Sequence, residues 1–194
     1  MKDPFMYDGA DTVVLYEELA FQDVLPVQWR PLPPGADREI ASAYDERNIR
    51  LLQAWDAMDE HPPIEKVDDP THAAEIARLD LKVNLLLDLV GQLVAASHPR
   101  PAPTPVRFNA LGAVWRGAGP LPDAGALGIT EIYLRDCLAE PLRLGGRITS
   151  VTPDGHIKVK FLPLTEAVAD LIEKLAFRRH RRQIAEARQP RRGA

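Results

Sequence analysis

The chain has 194 residues, of which 45% are hydrophobic and 27% charged, and these proportions are ordinary for a folded soluble protein. Its single cysteine, Cys137, excludes an intramolecular disulfide and any metal site built from several cysteines. The longest strongly apolar stretch, residues 81–96, is interrupted by four polar or charged residues, so we expect no membrane span. Since the N-terminus has no signal-peptide pattern, we expect a cytoplasmic protein.

Charge is distributed unevenly along the chain. Residues 1–70 carry 6 Lys+Arg against 16 Asp+Glu, a net charge of −10, whereas residues 178–194 carry 7 Arg against one Glu, a net charge of +6. Because only the C-terminal tail is basic, we expect no binding of DNA by the surface as a whole.

The first elements are predicted to be extended. Thr12–Leu19 is rich in β-branched residues and predicts a strand with two glutamates at its exposed end. Residues 24–29 predict an edge segment, because Pro26 cannot donate a hydrogen bond to a neighbouring strand. We therefore assign residues 1–35 to an N-terminal strand and edge segment.

Two helices follow, and residues 36–98 are assigned to a helical oligomerisation region. The first helix is predicted from apolar residues that share one face between Ile40 and Met58. The second begins near Thr71 and ends at His98, and spacings of 3, 4, 3, 4 and 3 give it a heptad seam over about three heptads. The seam residues are Ile76, Leu79, Val83, Leu86, Val90 and Leu93.

The seam has two interpretations that the sequence leaves open. The helix could pack on the rest of its own chain, or it could form a bundle with other copies. Four further leucines, at 81, 85, 87 and 89, widen the apolar surface beyond a two-helix seam. This width favours an assembly of more than two helices.

After the helices the hydrophobic pattern changes. Residues 99–105 predict a stiff proline-rich linker, and residues 106–189 predict short strands followed by a last helix. Asp154-Gly155 predicts a hairpin turn between two of these strands. The order indicates a small antiparallel barrel with a C-terminal helix, and we expect residues 190–194 to be disordered.

The sequence gives no sign of catalysis. Its five histidines form no metal-ligand spacing, and we find neither a nucleophile elbow nor a phosphate-binding loop. We therefore expect no enzyme activity, no catalytic residue, no metal and no cofactor.

The second half of the chain resembles a PilZ domain, the bacterial receptor module for cyclic di-GMP. The resemblance lies in the order of its elements, which are Phe108–Gly112, Leu127–Leu134, Pro141–Val151, Gly155–Phe161 and Leu171–Arg182. With the extended N-terminal segment and the heptad helices, the chain further resembles the atypical, tetrameric subgroup. The resemblance implies an α+β fold, in which a six-stranded antiparallel barrel carries an inserted helical pair and a C-terminal helix, and it implies a homotetramer.

The family also implies a ligand site, which this chain modifies. Typical members bind cyclic di-GMP with an Arg-x-x-x-Arg stretch before the barrel and an Asp/Asn-x-Ser-x-x-Gly element on it. Arginine suits this ligand because it can pair with phosphate or with a guanine edge. Here the linker offers Arg100 with Thr104 four residues on, and an Arg-x-x-x-Arg pattern occurs instead at the end of the chain. The ligand-binding candidates are Arg107 at the Asp/Asn position, Asn109 at the Ser position, Gly112, Arg178 and Arg182.

Two functions therefore remain open. The protein is either a cyclic di-GMP receptor, or an oligomeric adaptor that has lost direct nucleotide binding and acts through an unidentified protein partner. The C-terminal arginines have simpler interpretations too, as a solvated cation cluster at a helix end or as partners of the acidic N-terminal third, within or between subunits.

Overall fold

The computed structural model describes residues 19–33, 40, 42–59, 70–97 and 99–188. The strand predicted over Thr12–Leu19 falls outside these residues except for Leu19, and the tail predicted to be disordered, residues 190–194, falls outside them entirely.

The described residues form an antiparallel barrel of six strands with three helices. The strands close in the order β1-β2-β3-β6-β5-β4, so the predicted α+β fold and six-stranded barrel are confirmed. The strands are β1 (Phe21–Pro31), β2 (Pro103–Phe108), β3 (Gly112–Arg116), β4 (Leu127–Ile132), β5 (Leu142–Val151) and β6 (His156–Phe161). The helices are α1 (Asp45–Asp59), α2 (Pro70–Ser97) and α3 (Glu166–Arg188).

Strand β1 closes the barrel although it precedes the two helices in the chain. Its first half, from Phe21 to Pro26, pairs with β2, and its second half, from Val27 to Pro31, pairs with β4. Helices α1 and α2 are therefore inserted between two adjacent strands of one barrel, as the sequence predicts.

The proline-rich linker is shorter than the predicted residues 99–105. Strand β2 begins at Pro103, and its residues Pro103 and Pro105 lie opposite Pro26 and Val24 of β1. Proline is held in an extended conformation that suits both a free linker and a strand with few hydrogen bonds, so its presence alone cannot separate the two.

The barrel interior is filled by alternating strand residues and sealed by α1 and α3. Phe21 and Phe108 are neighbours inside it, with ring centroids 5.1 Å apart, and Trp55 of α1 meets Phe21 edge-on at 6.3 Å. From α3, Val168, Ile172 and Leu175 enter the same core. Burial of each large side chain contributes about 2 kcal/mol to folding.

The predicted hairpin turn joins β5 to β6. Gly155 has a φ of 88°, and its N–H donates to the carbonyl of Thr152 at 2.9 Å. This left-handed conformation costs a glycine little, which is why Asp-Gly predicts the turn.

Candidate functional site

Asn109 closes the turn between β2 and β3. Its side-chain oxygen accepts hydrogen bonds from the amides of Leu111 at 2.9 Å and Gly112 at 3.2 Å. The backbone N–H of Asn109 donates to the Gly112 carbonyl at 3.0 Å, and the residue is buried. The predicted ligand residue therefore already holds the turn through its carboxamide oxygen, as asparagine commonly does.

Gly112 is the first residue of β3 and lies close to the backbone of β6. A Cβ at this position would be 2.3 Å from the carbonyl oxygen of Val159, which is far inside van der Waals contact. Only glycine fits without moving the two strands apart. The packing of the barrel thus explains why this position is glycine.

Arg107 projects from the outer face of the barrel. Its neighbours Val106 and Phe108 are buried in the core, and strand side chains alternate between faces. It lies opposite Gln22 of β1 and Val114 of β3, while Val114 lies opposite Lys158 of β6. Arg107 and Lys158 therefore form a cationic row across the outside of the barrel, with Val114 between them.

Two of the C-terminal arginines form ion pairs with carboxylates of the same chain. Arg178 lies 2.6 Å from Oδ1 of Asp56 on α1, and Arg179 lies 2.9 Å from Oδ2 of Asp23 on β1. Lys174 also contacts Asp56, at 2.7 Å. Arg182, one turn after Arg178, is exposed. Two of these arginines thus fasten α3 to its own chain, which is one of the interpretations that the sequence allowed.

The structure brings Arg107 and Arg182 to the same end of the barrel. The backbone carbonyl of Gln22, opposite Arg107, accepts a hydrogen bond of 3.4 Å from the side chain of Gln183. Arg178, by contrast, is directed toward α1. The five predicted ligand residues therefore stay a prediction, of which Asn109 and Gly112 also have structural roles in the barrel and Arg178 also pairs with Asp56.

Arg100 is a structural residue that sequence reasoning did not identify. Its side chain is only 8% exposed and stacks over Tyr133, with the guanidinium 5.0 Å from the ring centroid. Its two terminal nitrogens donate to the carbonyls of Arg135, Asp136 and Leu138 over 2.8–3.2 Å, and to a carboxylate oxygen of Asp136 at 3.2 Å. Its position in a proline-rich segment gives no sign of these partners, which lie 35–38 residues away in sequence.

The segment held by Arg100 is also where α2 touches the body. Gly91 is a buried residue of α2, and a Cβ there would lie 3.2 Å from the backbone of Asp136 and Cys137. We call residues 135–138 the β4–β5 loop. Gly91 therefore packs α2 against this loop, and Arg100 holds the segment that follows α2 against the same loop.

The predicted seam of α2 faces solvent along its length. The six seam residues range from 47% exposed at Val90 to 69% at Leu93. Leu81, Leu85 and Leu89 are exposed as well. The barrel, in contrast, buries nearly all of its large apolar side chains, so α2 has by far the largest apolar surface among the described residues.

A second feature missed from the sequence is a buried carboxylate on the outside of β4. Glu131 is 1% exposed; Nε of Arg143 lies 3.0 Å and Nη2 of Arg30 3.1 Å from its Oε1. Burial opposes the charge of Arg143, but hydrogen bonds to Glu131 and to Glu140 outweigh it and raise the pKa of Arg143. Asn48 of α1 holds the backbone of Arg143 through two hydrogen bonds of 2.8 and 3.0 Å. This network fixes α1 to the barrel.

An apolar cavity of about 820 Å³ lies beside the second half of β1. It is lined largely by tryptophans, prolines and aliphatic residues, among them Trp29, Pro101, Trp115, Pro120 and Leu121. None of the predicted ligand residues lines it. Among the described residues, no three His, Cys, Asp or Glu side chains are grouped as metal ligands, and no helix is long and apolar enough to cross a membrane.

Comparison with known proteins agrees with this architecture. A solved protein from Xanthomonas campestris is 25% identical, with a TM-score of 0.62, over 86% of this chain and 90% of its own. It is described as a pathogenic protein with a tetrameric PilZ domain that self-assembles through an unusual helical bundle. No curated protein matched. A family model described as "Atypical PilZ domain, cyclic di-GMP receptor" matches residues 52–189, so the chain belongs to the atypical PilZ domain family.

Proposed function

We propose that this protein is a non-catalytic, cytoplasmic signalling module that assembles through α2 and needs no cofactor. The observation that carries the proposal is the exposed seam of α2, whose residues are Ile76, Leu79, Val83, Leu86, Val90 and Leu93. A continuous apolar face of this length is costly in water and is typical of a protein–protein interface.

A second copy of the same helix is the partner that fits best. The 3–4 spacing suits packing of helices along their length, and leucines on the flanking face suit contact with more than one neighbour. The related Xanthomonas campestris protein is tetrameric and assembles through a helical bundle. These two facts together support a tetramer.

Light scattering on wild-type protein and on Leu86→Lys and Val83→Lys variants tests the assembly. A lone lysine in a buried seam costs several kcal/mol, so each variant should lose the mass of the assembly and approach that of one chain. Leu121→Lys introduces the same charge at an exposed leucine of the β3–β4 loop and should leave the mass unchanged. An equal mass for wild type and both α2 variants would refute the proposal.

We further infer that the module acts as an adaptor through a protein partner, without direct nucleotide binding at the positions typical of the family. The arginine of the proline-rich segment before β2, Arg100, is engaged with the β4–β5 loop, and the side-chain oxygen of Asn109 accepts hydrogen bonds from two turn amides. Binding a dinucleotide with either group would require breaking these contacts. An arginine, Arg107, stands where the family has an acidic or amide residue.

The receptor function remains the second candidate, because Arg107 and Arg182 lie at the same end of the barrel and could attract an anionic ligand. Titration calorimetry with cyclic di-GMP separates the two functions. The adaptor predicts no heat of binding at high protein concentration. Saturable binding that is lost in Arg107→Ala but kept in Arg116→Ala, an exposed arginine on β3, would overturn the adaptor and establish the receptor.

A further inference from the structure

The two ends of the barrel are filled differently. At one end Phe21, Phe108 and Trp55 pack together in the core that α1 and α3 complete. Strand β1 runs from this end to Pro31, and the cavity of about 820 Å³ lies beside the second half of the strand. The helices therefore close one end of the barrel, whereas a space large enough for a small molecule remains toward the other.

The cavity lies where β1 changes its partner strand. As far as Pro26 the strand pairs with β2, and from Val27 onward it pairs with β4. The register with β2 ends at the pair of Pro26 and Pro103. The cavity is lined by Trp29 of β1 and by residues 101–104, which lead into β2. It therefore occupies the gap that opens between β1 and β2 when β1 turns to β4.

The β3–β4 loop forms a further wall of the cavity. A Cβ at Gly117 would be 2.6 Å from Cδ1 of Ile157 and 2.9 Å from Cδ2 of Leu121, so glycine lets this loop lie directly on the barrel. Leu121 is 42% exposed and Trp29 is partly exposed, whereas Ile157 is buried. The lining thus extends from solvent to the core, and a ligand can enter it from outside.

The charge of the lining favours an uncharged ligand. Among the described lining residues only Arg116 and Asp123 are charged, one of each sign, and both are exposed. A dianion such as a cyclic dinucleotide would bring its phosphates into apolar surroundings without matching cations, which is costly. An uncharged molecule carries no such cost.

The apolar part of the lining favours an aromatic ligand. Two tryptophans, Trp29 and Trp115, contribute indole rings, against which other aromatic rings pack well. Five lining residues are prolines, which have no N–H to donate, so the walls hold few hydrogen-bonding groups for a polar molecule. Small-molecule sites typically have volumes of about 300–1,000 Å³, and the mouths of β-barrels often contain them.

We propose that this cavity binds an uncharged, largely apolar small molecule with an aromatic ring system. The site is separate from the seam of α2 and from the predicted ligand residues Arg107, Asn109 and Gly112, none of which lines it. The inference goes beyond the proposed function, and it holds whether the module is an adaptor or a receptor.

NMR of the indole N–H groups tests the proposal with 2-naphthol and 2-naphthalenesulfonate, which share a ring system but differ in charge. The protein has three tryptophans, of which Trp55 lies at the closed end and outside the lining. 2-Naphthol should shift the signals of Trp29 and Trp115 saturably and leave that of Trp55 in place. The sulfonate should bind on the order of tenfold more weakly, because the lining offers its charge no net counter-charge.

A matched pair of variants locates the site. Ala126→Phe places a ring in the cavity and should abolish the saturable shift, whereas Ala124→Phe adds the same ring to an exposed position of the same loop outside the lining and should keep it. In the wild type, a nuclear Overhauser effect between 2-naphthol and the Cδ1 methyl of Ile157 locates the ligand without any variant.

Three results would overturn the proposal. The first is unmoved signals of Trp29 and Trp115 up to the solubility limit of 2-naphthol, which would also be the result if the probe bound only to the seam of α2. The second is equal binding of the sulfonate. The third is a decaproline peptide that shifts these two signals where 2-naphthol does not, which would assign the cavity to a proline-rich protein partner.

Discussion

Arg178 on α3 and Asp56 on α1 form an ion pair with a distance of 2.6 Å between Nη1 and Oδ1, although 122 residues separate them in the chain. Both side chains are largely withdrawn from solvent, and Lys174 contacts the other carboxylate oxygen of Asp56. Asp56 therefore lies between two cations of α3. The pair connects the inserted helices to the helix that seals the barrel.

Asp56→Asn should destabilise the protein by about 1–2 kcal/mol, because the largely buried Arg178 and the exposed Lys174 lose their common counter-charge. The midpoint of urea unfolding measures this loss. Asp170→Asn removes an exposed carboxylate from α3 and should change the midpoint little. Equal midpoints for Asp56→Asn and the wild type would contradict the role of this pair.

Arg100→Lys should destabilise the protein by about 2–3 kcal/mol, because an ammonium cannot reproduce a planar fork that reaches several carbonyls. Tyr133 would lose its stacking partner as well. We expect faster hydrogen exchange in the β4–β5 loop, and urea unfolding measures the change in stability. Arg116→Lys, at an exposed arginine, is the matched control and should be neutral. Unaltered hydrogen exchange of residues 135–138 in Arg100→Lys would contradict the role of Arg100 in holding this loop.

The sequence predicts the elements of the fold well because their signals are local. The 3–4 spacing of α2 and the Asp-Gly turn after Val151 each depend on a few neighbouring residues, and the structure has both elements at those places. The start of β2 was misjudged because proline suits a linker as well as a strand. Closure of the barrel by β1 could be predicted from the family resemblance, whereas residue patterns alone indicate only an edge segment.

The charged contacts could not be predicted because they join distant parts of the chain. An alternating pattern assigns Glu131 to the outer face of β4, where a glutamate is normally solvated. It is buried because Arg143 and Arg30 converge on it and because α1 lies nearby. Likewise, nothing local to Arg100 or Arg178 identifies the carbonyls or the carboxylate that these residues bind.

Glu131 and Glu140 contact the same arginine, Arg143, but differ in burial. Glu131→Gln should destabilise the protein by about 2–4 kcal/mol, because the partly exposed guanidinium of Arg143 loses a charged acceptor that is hidden from water. Glu140→Gln, at a carboxylate more than half exposed, should cost less than about 1 kcal/mol despite its short contact of 2.7 Å. Urea unfolding of the two variants measures the difference. A larger loss for Glu140→Gln than for Glu131→Gln would contradict this assignment.

The hairpin turn between β5 and β6 contains a carboxylate with an altered pKa. A hydrogen bond from the hydroxyl of Thr152 lowers the pKa of Asp154, and the nearby His156 lowers it further. A carboxyl whose pKa is lower in the folded than in the unfolded state stabilises the fold above its unfolded pKa. That contribution is lost as the pH falls through the folded pKa. The turn should therefore loosen in acid.

Thr152→Val should raise the pKa of Asp154 toward its ordinary value, because it removes the donor of the strongest of these interactions. A pH titration of the carboxyl carbon by NMR measures the shift. Thr152→Ser keeps a hydroxyl and should retain the low pKa, whereas Thr149→Val removes a hydroxyl that bonds the Lys158 carbonyl and should leave Asp154 unaffected. An unchanged pKa in Thr152→Val, or an equal rise in Thr149→Val, would mean that the hydroxyl of Thr152 is not the cause.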